Sequence, residues 1–174
     1  MPVTILSIRK LGDPVLRERA RTVERFDVSL ARIVDDMFET MYAAPGVGLA
    51  APQVGIAMRF FVFDDGQGGK GFVANPELSD FEELDVRDEG CLSIPGPFHP
   101  TERALRVRVR GQDLRGDTIE LEGEGLLARI LQHETDHTIG MLFIDRLDDE
   151  GRREVMRMLR EHELRRAEEV PRSP

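Results

Sequence analysis

Two histidines spaced four residues apart, with a glutamate directly after the first, are the side chains in this sequence best suited to metal chemistry. They are His133, Glu134 and His137, within the stretch LQHETDHTIG. On an α-helix, residues four apart lie on one face, so both imidazoles can point at one ion. The Glu134 carboxylate would lie beside them and could take a proton from a water molecule on that ion. The same spacing also arises by chance on ordinary helices. This motif alone therefore leaves open both a metal site with a catalytic base and an ordinary solvent-facing helix.

The single cysteine of the sequence, Cys91, is a third candidate ligand. It lies in DEGCLSIPG (88–96), whose glycines and proline predict a loop that holds an exposed thiolate rather than a packed thiol. Two imidazoles and one thiolate would leave a fourth tetrahedral position open for water. That is the arrangement of a catalytic rather than a structural metal site.

A second glycine-containing segment, GVGLAAPQVG (46–55), follows the end of a predicted helix. Small residues let the backbone approach a ligand closely, and Gln53 can present its side-chain amide there. The segment lacks the Lys-Ser/Thr end of a phosphate-binding loop and the spacing of a dinucleotide-binding turn. It therefore predicts a binding loop, but not one for a nucleotide phosphate.

The elements that must position these residues follow from the hydrophobic pattern. Apolar residues recur every three or four positions in a helix near 28–43, and Gly140 ends the helix that carries the histidines. Strict alternation of apolar and polar residues predicts a strand at 104–111. The predicted elements are helices at 14–23, 28–43, 125–138 and 152–169, and strands at 56–63, 72–75, 104–111 and 117–122. Together they predict an α+β fold, with antiparallel strands packed around a central HExxH-bearing helix and further N- and C-terminal helices.

Composition limits the class of protein. The chain has 174 residues and 40% hydrophobic content, enough for one core, so we expect a single catalytic domain over 1–174. Within that domain, about 148–174 should form a charged C-terminal helix and a frayed tail. A net charge of −9 gives no electrostatic footprint for nucleic acid. The sequence shows no apolar run long enough to span a membrane and no leader peptide, so we expect a cytoplasmic protein.

Three separated motifs, taken together, resemble those of bacterial peptide deformylases. They are GVGLAAPQ (46–53), EGCLS (89–93) and HETDHTIG (133–140), in the family's order, and the likeness covers nearly all of residues 5–147. The resemblance implies hydrolysis of the N-formyl group from the initiator methionine of newly made polypeptides, with release of formate. It also implies one divalent metal ion per chain, Fe²⁺ in the cell, which Zn²⁺, Ni²⁺ or Co²⁺ can replace. The implied partners are N-formylmethionyl nascent peptides. A transient ribosome contact is left open, because the tail from Asp148 onward carries eight acids and seven arginines and so predicts no strongly basic docking helix.

The resemblance also implies roles for single residues. The residues that resemble the family's metal ligands are Cys91, His133 and His137. Glu134 resembles its general base, which later acts as the acid. Gln53 and the backbone N–H of Leu92 resemble the two donors that stabilise the oxyanion.

We expect a hydrophobic pocket for the methionine side chain beside the metal site. Leu126 and Ile130 should share the helix face of His133, and Val47 should approach from the glycine-containing segment. Gly48, without a side chain, would let its backbone pair with an extended substrate. The predicted substrate-binding residues are Gly46, Val47, Gly48, Leu126 and Ile130.

An arginine should brace the metal site from behind. Arg103 follows the cysteine motif, and in the resembling family this position holds an arginine near the motif carboxylates. Glu89 and Asp136 lie within the motifs without a metal role, and an unpaired carboxylate beside a buried ion would be costly. We therefore expect the Arg103 guanidinium to pair with both acids and to fix the cysteine segment against the histidine helix.

Two features of the sequence depart from the family pattern. Thr138 stands where an apolar residue is usual, and GPFHPTER (96–103) predicts a variable loop with an exposed His99, as His162 should be on the last helix.

Two other functions remain open. One is an HExxH metallopeptidase that cuts internal peptide bonds, although such enzymes normally take their third ligand downstream of the motif. The other is a non-catalytic metal-binding relative, which loss of Glu134, Gln53 or Cys91 would have indicated.

Overall fold

One antiparallel sheet organises the part of the chain that the computed structural model describes, residues 2–169. Its five strands lie in the order β1-β2-β3-β4-β5, so each strand pairs with its neighbour along the chain. The strands are β1 (Gly48–Ala50), β2 (Phe60–Asp64), β3 (Lys70–Cys91), β4 (Ile94–Gln112) and β5 (Thr118–Glu124). The helices are α1 (Val28–Ala43), α2 (Leu126–Thr138) and α3 (Asp149–Glu169), and 3-10 turns occur at Pro14–Arg17, Ala51–Val54 and Phe143–Arg146. The predicted α+β class with antiparallel strands is confirmed.

Helix α1 begins and packs as its local sequence dictates. The Asp27 carboxylate accepts hydrogen bonds from the backbone N–H groups of Ser29 and Leu30, at 3.0 and 3.2 Å, and so caps the first turn. The apolar stripe of α1 packs against β1 and β2 in one core cluster. Its buried apolar members are Leu30, Val34, Met37 and Met41. This packing fixes the point at which the chain leaves α1 and enters β1.

Helix α2 contacts every strand of the sheet. It begins after Gly125, with φ of 60°, and the chain leaves it through Gly140, with φ of 78°. Both backbone conformations favour glycine, which explains the bounds of the helix. From Ala128 to Thr138 every residue is buried, including the polar residues of the histidine motif. Buried polar side chains need partners, and those partners come from the strands around the helix.

The β3–β4 hairpin is much longer than the sequence predicts. The segments concerned are 72–75 and 104–111, whose predicted strands are too short, and 88–96 and 96–103, whose predicted loops are wrong. The chain runs as strand through both loop segments and turns at Leu92 and Ser93. Within the described chain, Ile94 and residues 99–104 of β4 pair with β3 alone, and residues 95–98 lie at a register shift. A strand with a free edge accepts proline where the N–H needs no partner. The prolines and glycines therefore belong to an edge hairpin.

Tertiary hydrogen bonds move two further boundaries. The first helix ends at Arg17 instead of continuing to 23, because the N–H groups of Ala20 and Arg21 donate to the carbonyls of Thr138 and Ala57. The loop predicted at 46–55 is only partly correct, since it contains β1 and a 3-10 turn.

The remaining boundaries differ by a few residues. Strand β2 begins at Phe60 rather than 56, and α3 begins at Asp149 rather than 152. The frayed tail predicted for the end of the chain falls largely on 170–174, which lie outside the described residues. Within residues 2–169, no helix combines the length and apolar character needed to cross a membrane.

Candidate metal centre and active site

Three side chains from two elements converge on one point. Cys91 ends β3, while His133 and His137 lie one turn apart on α2, and their ligand atoms all lie within 4.8 Å of one another. The Nε2 atoms of the two histidines are 3.2 Å apart, and the Cys91 Sγ lies 3.4 Å from His137 Nε2. Tetrahedral ligands on bonds of about 2.0–2.3 Å are separated by roughly 3.3–3.8 Å. The donor set and its spacing therefore fit one borderline divalent ion.

Glu134 lies beside these ligands in an interior position. Its residue is only 4% exposed, and its Oε2 atom is buried without a hydrogen-bond partner among residues 2–169. Burial raises the pKa of Glu134 to about 7, although the neighbouring His133 opposes this. A Cβ built on Gly48 would overlap the Glu134 carboxylate. The carboxylate therefore packs against the bare backbone of β1, and only glycine leaves it that space.

A chain of ion pairs lies behind the metal ligands. Glu89 accepts from Arg103 Nη2 at 2.5 Å and Nε at 3.1 Å, and its Oε1 lies 2.6 Å from His133 Nδ1. The Arg103 Nη1 atom also donates to Asp136 at 2.6 Å, so one guanidinium joins the two acids that the sequence pairs with it. Burial alone would raise the pKa of Glu89, but the hydrogen bonds from His133 and Arg103 hold that pKa well below its usual range. The contact between Glu89 and His133 Nδ1 fixes the His133 ring with its Nε2 towards the other ligands.

Two further arginines belong to this chain of ion pairs, and the sequence analysis does not predict them. Arg129 Nη1 donates to Glu89 and to the Thr101 carbonyl, both at 2.8 Å. Arg146 donates twice to Asp136, at 2.6 and 2.7 Å. Arg129 stands four residues before His133, and this spacing could have indicated a shared face. Arg146 lies in a 3-10 turn after α2, where no local pattern marks it.

Gln53 is held in one orientation beside Cys91. Its Oε1 atom accepts from the Ala50 N–H at 2.9 Å, which turns its amide nitrogen towards the turn between β3 and β4. That nitrogen, Nε2, lies 3.2 Å from Ser93 Oγ and 3.5 Å from Cys91 Sγ. The same turn carries Leu92, whose carbonyl accepts from Lys10 Nζ at 2.9 Å. The structure therefore brings both predicted oxyanion donors to the cysteine side of the site.

A cavity of about 570 Å³ opens beside the three converging ligands. All five residues predicted to bind substrate line it, together with Glu134, His133 and Cys91. Ile130 is buried at 4% exposure, whereas Val47 and Leu126 are 43% and 40% exposed. Ile130 therefore lies at the base of the cavity and the other two at its mouth. This size suits a peptide end with one apolar side chain.

The two remaining histidines are not the free side chains that the sequence predicts. The His99 side chain is 19% exposed, and its Nε2 lies 3.4 Å from a carboxylate oxygen of Glu154 on α3. His162 is half-buried, and its ring lies against Gly96. Both predictions of exposure are wrong because segment 96–103 is a strand covered by α3. Neither ring belongs to the cluster of candidate ligands.

The sequence of this chain matches one known protein family over most of its length. The profile of the polypeptide deformylase family matches residues 5–153. The chain belongs to this family. The prediction of a peptide deformylase is thereby confirmed, and the activity of the family is metal-dependent hydrolysis of the N-formyl group of N-formylmethionyl peptides.

Similar deformylases match most of the chain. The peptide deformylase of Acidothermus cellulolyticus is 50% identical over 161 residues, 92% of this chain and 89% of that protein. A solved deformylase structure from Legionella pneumophila superposes with a TM-score of 0.89 at 42% identity, covering 98% of this chain and 100% of its own. That of Thermotoga maritima gives a TM-score of 0.80 at 49% identity, covering 83% and 99%.

One departure from the deformylase pattern has a structural explanation. Thr138, where an apolar residue is usual, is fully buried at the end of α2. Its hydroxyl donates to the Thr135 carbonyl at 2.7 Å, and the Thr135 hydroxyl donates in turn to the Leu131 carbonyl at 2.7 Å. These bonds satisfy both hydroxyls within the helix. The helix beneath the site is therefore intact.

Proposed function

We propose that Cys91, His133 and His137 hold the single divalent ion with which this chain hydrolyses formyl groups. The observation that carries the proposal is the convergence of the three ligand atoms within 4.8 Å. When bound, the ion supplies a Lewis acid that makes a water molecule nucleophilic near neutral pH. Glu134 is the proton carrier: its buried carboxylate accepts the proton of the attacking water and returns it to the leaving amine.

Gln53 and Leu92 stabilise the charge that develops on the formyl oxygen. Gln53 and Leu92 both line the cavity, and the Gln53 amide nitrogen lies 3.5 Å from Cys91 Sγ, to which Leu92 is the next residue. A donor that is already oriented stabilises the transition state without reorganisation, and one such donor is typically worth ~10²–10³ in rate. The Ala50 N–H, which fixes the Gln53 side chain, supports this role.

The methionine side chain enters the apolar cavity next to these groups. Ile130 forms its base, and Val47 and Leu126 enclose its mouth. Gly46 and Gly48 present backbone to the substrate, because neither has a side chain that would stand between. In this arrangement α2 is the central, HExxH-bearing helix of the domain, and Glu89, Arg103 and Asp136 hold it against the cysteine strand.

We also propose which metal ion this chain uses and where it acts. A thiolate with two imidazoles suits Fe²⁺, Zn²⁺, Ni²⁺ and Co²⁺, and we propose Fe²⁺ as the ion used in the cell. We further propose one catalytic domain over 1–174 that acts in the cytoplasm on nascent chains, through a transient contact with the ribosome. The mixed charges along α3 and the net charge of −9 favour a protein or peptide partner over nucleic acid.

Formate release separates this function from its two alternatives. The Fe²⁺-loaded or Zn²⁺-loaded chain is incubated with formyl-Met-Ala and, separately, with a peptide blocked at both ends. We expect formate from the first substrate and no new amine from the second. Cleavage of the blocked peptide would favour a metallopeptidase, and no reaction with either would favour a non-catalytic metal-binding protein.

A further inference from the structure

The β3–β4 hairpin has an outer face that the active site does not use. From Leu84 to Glu89 its register is continuous, so alternate residues of β3 point to opposite faces. Glu89 lies on the inner face, where it is buried under α2. Leu84 and Val86 lie on the other face, with exposures of 71% and 60%. Two large apolar side chains therefore stand side by side in solvent.

Phe98 joins these side chains to the rim of the cavity. It is 65% exposed, and its ring lies 2.7 Å from the position of a Cβ built on Gly90. Asp88 shares the outer face with Val86, and Gly90 follows at a register shift between Glu89 and Cys91. Phe98, Gly90 and Asp88 all line the cavity. We call Phe98, Val86 and Leu84 the outer strip. At about 3.3 Å per residue, Val86 lies roughly 13 Å from Gly90 and Leu84 roughly 20 Å.

The edge of β3 next to the outer strip is open to a peptide. Strand β2 pairs with β3 from Lys70 to Ala74, and within residues 2–169 no strand pairs with that edge further along. Arg129 Nη2 donates to the Asp85 carbonyl at 3.0 Å, so the open backbone runs from Val86 to Gly90. An extended chain can add to such an edge through main-chain hydrogen bonds and place alternate side chains over the outer face.

We propose that the outer strip binds apolar side chains of the substrate's own nascent chain, about four to eight residues after the formylmethionine. This inference rests on the proposed function. Its occupant is the substrate's own chain, because substrate residues that leave the cavity along the open edge of β3 meet Val86, and the Leu84 side chain lies just beyond the end of that edge. The chain length follows from the roughly 13 and 20 Å between Gly90 and these side chains. The strip adds a preference for apolar early sequences, separate from the methionine pocket.

Peptide length and polarity test the proposal on the unmodified protein. The substrates are formyl-Met-Ala-Ser, formyl-Met-Ala-Ser-Ala-Leu-Val-Leu-Ser and formyl-Met-Ala-Ser-Ala-Ser-Thr-Ser-Ser, with formate release measured on the metal-loaded enzyme. We expect kcat/KM for the apolar octapeptide to exceed that for the polar one by about threefold to tenfold, as partial burial of one or two side chains provides. The gain should appear in KM, because the strip lies far from the reacting atoms.

A double variant locates the effect. In Leu84→Ser/Val86→Ser the two octapeptides should become equal, while kcat/KM for the tripeptide stays at the wild-type value and shows that the variant is folded. Leu164→Ser is the matched control, since Leu164 is 66% exposed on α3, outside the cavity. This control should retain the full preference for the apolar octapeptide.

Three results would overturn the proposal. The first is equal kcat/KM for both octapeptides in the wild type, and the second is a preference that survives in the double variant. The third is a wild-type dimer in sedimentation that the double variant converts to a monomer, which would assign the strip to a second copy. Failure to hydrolyse even the tripeptide would instead count against the proposed function, so the two failures are distinguishable.

Discussion

Removal of Arg103 should damage the fold and the metal site together. Arg103 is buried at 3% exposure and makes three hydrogen bonds to two carboxylates, two to Glu89 and one to Asp136. Breaking a buried ion pair costs ~3–5 kcal/mol, because it leaves a charge without its partner. In Arg103→Ala neither acid is left entirely unpaired, since Glu89 keeps Arg129 and Asp136 keeps Arg146. We therefore expect the lower end of that range, about 3 kcal/mol.

Urea unfolding of the metal-free protein measures this loss directly. A loss of about 3 kcal/mol is a large fraction of the roughly 5–15 kcal/mol that stabilise a domain. Metal affinity should also fall, by roughly 10–100-fold, because Glu89 would hold the His133 ring less firmly. If Arg103→Ala proves too unstable to purify, Arg103→Lys keeps the charge but not the forked geometry and should give a smaller loss of both.

Arg108→Ala is the matched control for this prediction. Arg108 also joins two acids, Asp80 at 2.8 Å and Glu122 at 2.6 Å, but its side chain is 41% exposed. Water screens such pairs, so the free energy of unfolding should barely change. An Arg103→Ala protein within ~1 kcal/mol of wild type, or no more damaged than Arg108→Ala, would refute the reasoning.

Three further substitutions test the site itself. Glu134→Gln should retain the metal but lower kcat by at least ~10²-fold, since glutamine cannot accept the proton; metal analysis with formate release checks both, and an active, metal-replete variant would exclude Glu134 as base. Cys91→Ser should lose metal to a chelator faster than wild type, because a hydroxyl is a harder and less ionised ligand; equal retention would remove Cys91 from the site. Gly48→Ala should lower kcat at unchanged metal content, because its Cβ displaces the Glu134 carboxylate; an unchanged kcat would contradict the close packing seen here.

The parts of the fold that the sequence predicts well depend on local signals. The bounds of α1 match the predicted 28–43, because the apolar stripe lies within the segment and Asp27 and Pro45-Gly46 flank it closely in sequence. The spacing of His133 and His137 likewise predicts that they share a face, and their Nε2 atoms lie 3.2 Å apart. Such features need no knowledge of the rest of the chain.

The hairpin shows why other parts were not predictable. Pro95, Pro97 and Pro100 usually mark loops, yet each lies in β4. Pro100 pairs with Asp88 of β3, and Pro95 and Pro97 lie at the irregularity between the paired residues Ile94 and His99, so the conformation depends on β3 and not on the local sequence. The ion pairs of Arg129 and Arg146 could not be predicted either, because their partners are distant in sequence or belong to another element. The pairing of Arg103 with Glu89 and Asp136 could be predicted only because the family resemblance places two carboxylates near this arginine.

The continuous register of the hairpin limits how this chain can change in length. Between Leu84 and Glu89, deletion of one residue would turn the side chains on one side of the deletion to the opposite face, and Glu89 would lose His133. Register shifts between Ala74 and Glu77 and between Ser79 and Glu82 already absorb extra residues. We therefore expect single insertions and deletions to be tolerated best at these two irregularities and not at the third, between Glu89 and Cys91, because Cys91 must keep its place beside the histidines.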